Sequence, residues 1–284
     1  MSYQTVFFQN SNDFLGKTLP DLAKDETRNN LVLGLALRLK EDLYAFGEAD
    51  PLMAVVTDSA GRNTAIAVMT PPFPMIVNSD PVDEIALKAL SDALISENWQ
   101  LPGVNGVAEV SDRFADIWQA RTSQTAKLQM RLRAYELREV TEVGYPDGQM
   151  RIAVEEDAQQ AADLLNAMRV ELNLLGRSAT VENALEIIRM ERVFFWETGG
   201  KVVTVTIANR SQIKGICISG VYTPPEHRRK GYARALVAEA SKEMLSRGYE
   251  ITNLFTDLAN PTSNKIYQEV GYKPVCDYHQ YSFE

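Results

Sequence analysis

The feature that most constrains this sequence is the basic segment His227-Arg-Arg-Lys-Gly-Tyr-Ala-Arg234. It lies between a strand-like apolar run, Ile216 to Thr223, and a stretch with helical apolar spacing, Ala233 to Arg247. The order is therefore a strand, a turn containing Pro224-Pro225, a basic loop and a helix start. Free N–H groups and the positive dipole end of a helix start bind anions, and Gly231 lets backbone approach a ligand closely. The segment predicts a pyrophosphate-binding turn.

Two signatures in the second half of the chain resemble those of one enzyme family. Arg228-x-x-Gly231-x-Ala233 is similar to the Q/R-x-x-G-x-G/A signature of the GNAT superfamily of N-acetyltransferases. Asn260 to Tyr272 resembles the superfamily's second signature, N-x-x-[SA]-x-x-[LI]-Y-x-x-x-G-[FY]. Helix capping explains Asn260, Pro261 and Gly271, but it does not require Tyr267. The two signatures occur in the family's order, and the resemblance covers roughly residues 150–284.

The predicted elements of this half also follow the order of the GNAT fold, βααβββαβαβ. Strands are predicted at 150–154, 193–198, 201–207, 216–223, 250–257 and 275–283, and helices at 155–175, 179–190, 233–247 and from 260. We therefore expect an α/β protein of the α+β type, in which each domain has a mixed, mostly antiparallel sheet flanked by helices.

The first half of the sequence is interpreted as a degenerate copy of the second. Thr70-Pro71-Pro72 repeats Thr223-Pro224-Pro225, and Ile117-Trp118 stands where the second half has Ile266-Tyr267. In place of the basic loop the first half has Phe73-Pro-Met-Ile-Val77, which offers no cation and no glycine. The polar, turn-rich stretch 139–149 is predicted as a linker. The expected domains are 1–138, GNAT-like without a cofactor loop, and 150–284, catalytic.

The resemblance implies that acetyl-CoA is the co-substrate and implies a role for each matching residue. The strand end would receive the pantetheine and thioester through Val221, Tyr222 and Thr223. The loop and helix start would hold the pyrophosphate through Arg228, Arg229, Lys230, Gly231, Tyr232, Ala233 and Arg234. Asn260 would hydrogen-bond the pantetheine arm, and Tyr267 would be the general acid that protonates the departing thiolate.

The general base stays open at this point. Some family members place a Glu five residues before the signature Asn, but this sequence has Phe255 there. Four other residues are candidates, each with a surface or structural role as the alternative: Glu171, Glu191, Glu197 and His279. A path through water would also serve.

Composition excludes several other classes of function. The net charge of −9 and the acidity of both halves argue against nucleic-acid binding. No apolar run is long enough for a membrane helix, and the N-terminal residues do not resemble a signal peptide. Cys217 and Cys276 lie far apart and only two His are present, so neither a disulfide framework nor a metal site is expected. We therefore expect a cytoplasmic protein.

The leading hypothesis is an acetyl-CoA-dependent N-acetyltransferase whose acceptor is a small-molecule or peptide amine. The alternative is an acyl-CoA-binding module that senses or regulates without turnover. Nucleotide enzymes are disfavoured, because neither a P-loop nor a dinucleotide-binding glycine motif is present. The sequence predicts no oligomeric state.

Overall fold

The chain folds into two compact units whose segments alternate along the sequence. The computed structural model describes residues 3–173 and 178–284. The first unit comprises Met1–Ala134, Asp257–Ala259 and Val275–Glu284, and the second comprises Tyr135–Thr256 and Asn260–Pro274.

The two halves of the chain have the same order of elements. The first half contains β1 (Gln4–Phe7), α1 (Ser11–Leu22), α2 (Asn30–Glu41), β2 (Leu52–Thr57), β3 (Asn63–Met69), β4 (Met75–Asn78), α3 (Glu84–Ser96), β5 (Gly103–Val107), α4 (Ala108–Arg121) and β6 (Ala126–Leu137). The second contains β7 (Gln149–Ile152), α5 (Ala158–Glu171), α6 (Val181–Arg189), β8 (Val193–Thr198), β9 (Lys201–Ser211), β10 (Gly215–Tyr222), α7 (Tyr232–Ser246), β11 (Ile251–Asp257), α8 (Pro261–Val270) and β12 (Lys273–Phe283). Each half therefore has the order βααβββαβαβ, which the sequence predicted for the second half.

Each unit has a mixed, mostly antiparallel sheet. In the first unit the strand order is β1-β2-β3-β4-β5-β12-β6, and β4 and β5 are the parallel neighbours. In the second unit the order is β11-β10-β9-β8-β7, and β10 and β11 are the parallel neighbours.

Helices cover both faces of the sheet in the second unit, which explains the continuous apolar run of β8. Val193 and Phe195 pack with α5 and α6, whereas Phe194 and Trp196 pack with α7. Successive side chains of a strand point to opposite faces, so a strand that is buried on both faces needs apolar residues throughout.

The last strand belongs to the sheet of the first unit. β12 pairs antiparallel with β5, from Tyr278 opposite Val107 to Ser282 opposite Gly103. The sequence-based domain boundaries differ from this arrangement, because they place 275–284 with the catalytic domain. An amphipathic strand pattern predicts a strand but does not identify its neighbour in the sheet. The proposed linker 139–149 lies within the second unit, where Thr141 N–H donates to the carbonyl of Val270 at 2.9 Å.

The structure also differs from the sequence predictions at three places. The helix expected at 155–175 is a short 3-10 turn, Glu155–Asp157, followed by α5, and residues 174 and 175 lie outside the described residues. Helices α1 and α2 were not predicted at all. The equivalence of the two Thr-Pro-Pro segments is wrong. Thr70 follows β3, which corresponds to β9 in the second half, whereas Thr223 follows β10, the next strand in the order.

Candidate active site

Strand β10 separates from its parallel neighbour before it ends. Its pairing with β11 runs from Gly215–Ile251 to Cys217–Asn253 and goes no further among the described residues. On the other side, its register with β9 shifts between Ser219 and Tyr222. Residues 221–223, the predicted thioester site, therefore lie at a strand end that has no β11 partner.

A glycine within β10 makes this irregularity possible. Gly220 has φ of +63°, and a Cβ at this position would lie 2.9 Å from Leu165 Cδ2 of α5. Both the positive φ and the close approach of α5 favour glycine. The sequence prediction did not include Gly220, although an isolated glycine inside a strand pattern is a known signal for a bulge.

The N-terminus of α7 is open, as the basic segment predicted. Gly231 occupies the N-cap position with φ of +85° and supplies no side-chain cap. Within the described part of the chain, the backbone N–H groups of residues 229–234 have no protein acceptor. Free N–H groups at a helix start, together with the helix dipole, form an anion-binding site. Tyr232 and Ala233, the first helical residues, supply two of these N–H groups.

The four cations of the segment fall into two pairs. Arg228 Nη2 lies 2.6 Å from Glu171 Oε2 and its Nε donates to the carbonyl of Thr223 at 2.8 Å. Arg234 bonds to Glu269 at 3.0 Å and to the carbonyl of Gly144 at 3.1 Å.

The other two cations, Arg229 and Lys230, are exposed and have no partner among the residues that the structure describes. Arg229 has a φ of +62°, so the loop holds this non-glycine residue in the left-handed region. The charge available to an anion at this site therefore comes from Arg229 and Lys230, whereas Arg228 and Arg234 hold the loop in place.

The residues at the end of β10 connect the strand to the loop. Val221 packs with the core on both sides of α7, and the ring of Tyr222 lies 5.8 Å below the Arg228 guanidinium. Thr223 Oγ1 bonds to Thr204 Oγ1, and its carbonyl accepts the bond from Arg228. The strand end and the basic loop are therefore joined by these contacts.

Asn260 caps α8 and keeps its amide group available. Its Oδ1 accepts a bond from Ser263 N–H at 3.1 Å. Its Nδ2 has no acceptor within the described ranges, 3–173 and 178–284. The cap therefore uses the amide oxygen and leaves the NH₂ group free to donate to a ligand.

Tyr267 of α8 lies in a buried aromatic cluster. Its ring centroid is 6.4 Å from that of Tyr135 and 6.1 Å from that of Tyr272. Its hydroxyl has no hydrogen-bond partner among the described residues, whereas that of Tyr135 donates to Asn264 at 2.9 Å. Burial, with a smaller contribution from Cys217, raises the pKa of Tyr267 well above its usual value. The phenol is therefore protonated at neutral pH and suited to donate rather than to accept a proton.

The four residues considered as a general base all have charged partners. The pairs are Glu171 with Arg228, Glu191 with Arg247, Glu197 with Arg151 and His279 with Asp112. His279 belongs to the first unit. The Arg228 guanidinium holds the pKa of Glu171 below its usual range. A carboxylate with a lowered pKa is a weak base, so the structure does not favour Glu171 in that role.

The start of α3, in the first half, differs from the start of α7. By element order, the counterpart of the basic loop is residues 79–83, between β4 and α3, and not 73–77, which contribute to β4. Asp83 caps α3, and its Oδ1 accepts bonds from Ile85 and Ala86 N–H, both at 3.0 Å. A carboxylate of the protein thus occupies the N–H groups that a phosphate would need.

Other features of the described residues bear on the wider predictions. Cys217 and Cys276 are both free thiols, and burial raises the pKa of Cys276 to about 12. Among residues 3–173 and 178–284, no cluster of three or more His, Cys, Asp or Glu side chains could hold a metal ion. No helix in this part of the chain is both long and apolar enough to cross a membrane.

Comparison with known proteins agrees with the resemblance seen in the sequence. The family model described as acetyltransferase (GNAT) family matches residues 161–272. This match covers the segment from α5 to the end of α8, which includes the open strand end, the basic loop and Tyr267. No curated protein matches the sequence.

Solved structures share the fold over the whole chain. A Drosophila protein from a structural genomics consortium is similar at a TM-score of 0.69 and 14% identity, covering 99% of this chain and 98% of its own. A GCN5-related N-acetyltransferase from Sphaerobacter thermophilus has a TM-score of 0.65 at 15% identity, with 98% and 94% covered. A tandem GNAT protein from the clavulanic acid biosynthesis pathway has a TM-score of 0.59 at 11% identity, with 100% and 98% covered.

Residues 161–272 therefore form a domain of the GNAT acetyltransferase family, and the whole chain has a tandem GNAT-like fold. The predicted family is confirmed for residues 161–272, and the predicted fold class is confirmed for the chain.

Proposed function

We propose that the protein is an acetyl-CoA-dependent N-acetyltransferase that transfers an acetyl group directly to a primary amine. One observation supports this more than any other. The unpaired end of β10 continues into a loop whose N–H groups, residues 229–234, have no acceptor among the described residues. A thioester and a pyrophosphate are the two parts of acetyl-CoA that these features fit.

The chain would hold the co-substrate at three places. Arg229 and Lys230 would neutralise the pyrophosphate, while the N–H groups from Arg229 to Arg234 donate to its oxygens. The amide of Asn260 would donate to the pantetheine arm. Backbone groups of Val221, Tyr222 and Thr223 would orient the thioester, and an N–H there would stabilise negative charge that develops on its oxygen.

Tyr267 would supply the proton for the departing sulfur. Acetyl-CoA supplies the acetyl group as a thioester, whose C–S bond breaks as the C–N bond to the amine forms. Tyr267 donates its phenolic proton to the sulfur and becomes a phenolate. The proton lost by the amine nitrogen passes to water, and the phenolate takes a proton from water to become a phenol again. The raised pKa means that Tyr267 carries its proton at neutral pH and that the phenolate left after donation readily takes a proton back.

The first half, residues 1–138, would support the catalytic half, 150–284, without binding CoA. The Asp83 cap argues against phosphate binding there. The net charge of −9 disfavours nucleic acid as a partner, and two free, reduced thiols are compatible with the cytoplasm.

A screen of amines for CoA release tests the proposal, run with acetyl-CoA and with longer acyl-CoAs. We expect amine-dependent release with the wild-type protein and strongly reduced release with Tyr267→Phe. Binding of acetyl-CoA without release for any amine would favour the non-catalytic acyl-CoA-binding module instead. If the protein does not bind acetyl-CoA, both functions are wrong.

A further inference from the structure

Glu171 occupies an electrostatically unfavourable position in its helix. It is the last residue of α5, where the helix dipole places partial negative charge. A carboxylate at this end is destabilised unless a cation lies close by. The stability of the helix therefore does not explain why an acidic residue lies at this position. The residues that surround Glu171 at the end of β10 explain it.

The surroundings of Glu171 are the end of β10. Its carboxylate bonds to Arg228 at 2.6 Å, and the Tyr222 side chain adds a weaker interaction. Arg228 in turn bonds to the carbonyl of Thr223 at 2.8 Å. Helix α5 reaches this point because Leu165 packs against the glycine bulge of β10. Glu171 therefore presents a negative charge beside the residues proposed to orient the thioester.

The ion pair between Glu171 and Arg228 can be exchanged. The two side chains are 42% and 39% exposed, and ion pairs with such exposure contribute little to stability. Arg228 also donates from Nε to the carbonyl of Thr223, and this anchor of the loop does not involve Glu171. Another cation can therefore replace Arg228 at the carboxylate without dismantling the anion-binding loop.

The low pKa of Glu171 determines which group of an acceptor amine its carboxylate can bind. A carboxylate that stays charged is a fixed negative charge rather than a proton acceptor. Holding the reacting nitrogen as an ammonium ion would oppose its attack, because only the neutral amine is nucleophilic. The carboxylate therefore suits a second positive charge, separate from the nitrogen that reacts.

We propose that Glu171 is a specificity-determining residue that binds a second ammonium group of a diamine-type acceptor, and that Arg228 occupies this place when no acceptor is bound. This assignment rests on the proposed acetyltransferase function. The acidity of the whole chain, with a net charge of −9, favours attraction of a dication to the protein.

A matched pair of acceptors tests the assignment in the full-length chain. 1,4-Diaminobutane and n-butylamine have the same carbon chain, and only the first has a second ammonium group. We expect Glu171→Gln to raise KM for the diamine about two- to fivefold, the range of a partly exposed ion pair. KM for n-butylamine, kcat for both acceptors and the affinity for CoA should not change, because only the second ammonium group contacts the carboxylate.

Glu155→Gln is the matched control, since Glu155 is an exposed carboxylate of the same unit that pairs with Arg189 at 3.0 Å. It should leave KM for both acceptors unchanged. Equal effects of Glu171→Gln on the two acceptors, or no effect on either, would overturn the assignment while leaving the acetyltransferase function intact.

Failure of the proposed function would appear differently, as no CoA release from the wild-type protein with any amine. In that case calorimetric binding of 1,4-diaminobutane in the presence of CoA decides about Glu171. Binding that is weakened by Glu171→Gln supports the carboxylate as a cation site. Absent or unchanged binding rejects it.

Discussion

Replacing Gly231 by alanine separates the conformational role of this residue from its role in binding. Gly231 has φ of +85°, and the nearest atom to an added Cβ would be Arg234 Nη2 at 3.9 Å. The methyl group therefore meets no steric obstacle within the protein. The left-handed conformation costs an L-residue about 1–2 kcal/mol. At about 2–4 °C per kcal/mol for a protein of this size, Tm should fall by a few degrees.

The effect on CoA should be larger than the effect on stability. The added Cβ lies at the N-cap of α7, next to the N–H groups of residues 229–234, where the pyrophosphate is proposed to lie. Loss of one hydrogen bond to a charged group costs about 1.5–3 kcal/mol, so Kd should rise about 10- to 100-fold. Gly231→Glu adds a negative charge at the same place and should abolish binding while the circular dichroism spectrum is retained.

Gly248 provides the control, because it has φ of +99° and no atom within 4 Å of an added Cβ. It follows α7, at the end opposite to the proposed site. Gly248→Ala should lower Tm to a similar extent and leave the affinity for CoA unchanged, as measured by calorimetric titration. If Gly231→Ala binds CoA normally, or if both variants lose affinity equally, the assignment of the pyrophosphate site is wrong.

Three further predictions follow from the structure. Tyr267→Phe should lower kcat by about 10²–10⁴-fold with little change in Tm, since the hydroxyl has no partner among the described residues; unchanged kcat would remove Tyr267 from the mechanism. Calorimetry on the full chain should give one CoA per protein, because Asp83 caps α3, and a stoichiometry of two would contradict this. Arg151 holds the pKa of Asp157 below its usual 3.8, so the pair stabilises the fold above that pH and ceases to do so as pH falls through the folded-state pKa. Urea unfolding should therefore show Asp157→Asn about 1 kcal/mol less stable at neutral pH and equal to wild type in strong acid; a difference that persists in acid would exclude this ion pair as its cause.

The sequence predicted the second half of the fold because its signals are local. The Gly-Gly turn before Lys201, the N-cap at Asn260 and the glycine at 271 specify turns and helix ends through backbone geometry alone. The predicted elements there correspond closely to the structure. The first half lacks such strong signals. Aligning the two Thr-Pro-Pro segments matched β3 of the first half to β10 of the second half, although β4 is the strand that corresponds to β10.

The partners of side chains could not be predicted in this way. Nothing in the spacing of the basic segment distinguishes Arg228 and Arg234, which bond to acidic residues and carbonyls, from Arg229 and Lys230, which do not. These partners, Glu171 and Glu269, are distant in sequence and become neighbours only through packing of α5 and α8. The site residues named from the resemblance stay predictions until the proposed variants are measured.

The position of β12 has a consequence for how the protein is made. Residues 275–284 follow the whole of the second unit in the chain, yet they fill the gap between β5 and β6 in the sheet of the first. During synthesis the first unit therefore emerges from the ribosome with a strand missing and two unpaired edges. Its sheet can close only after the second unit has been made. A gene cut between the two halves would thus yield an incomplete first unit rather than two separate proteins.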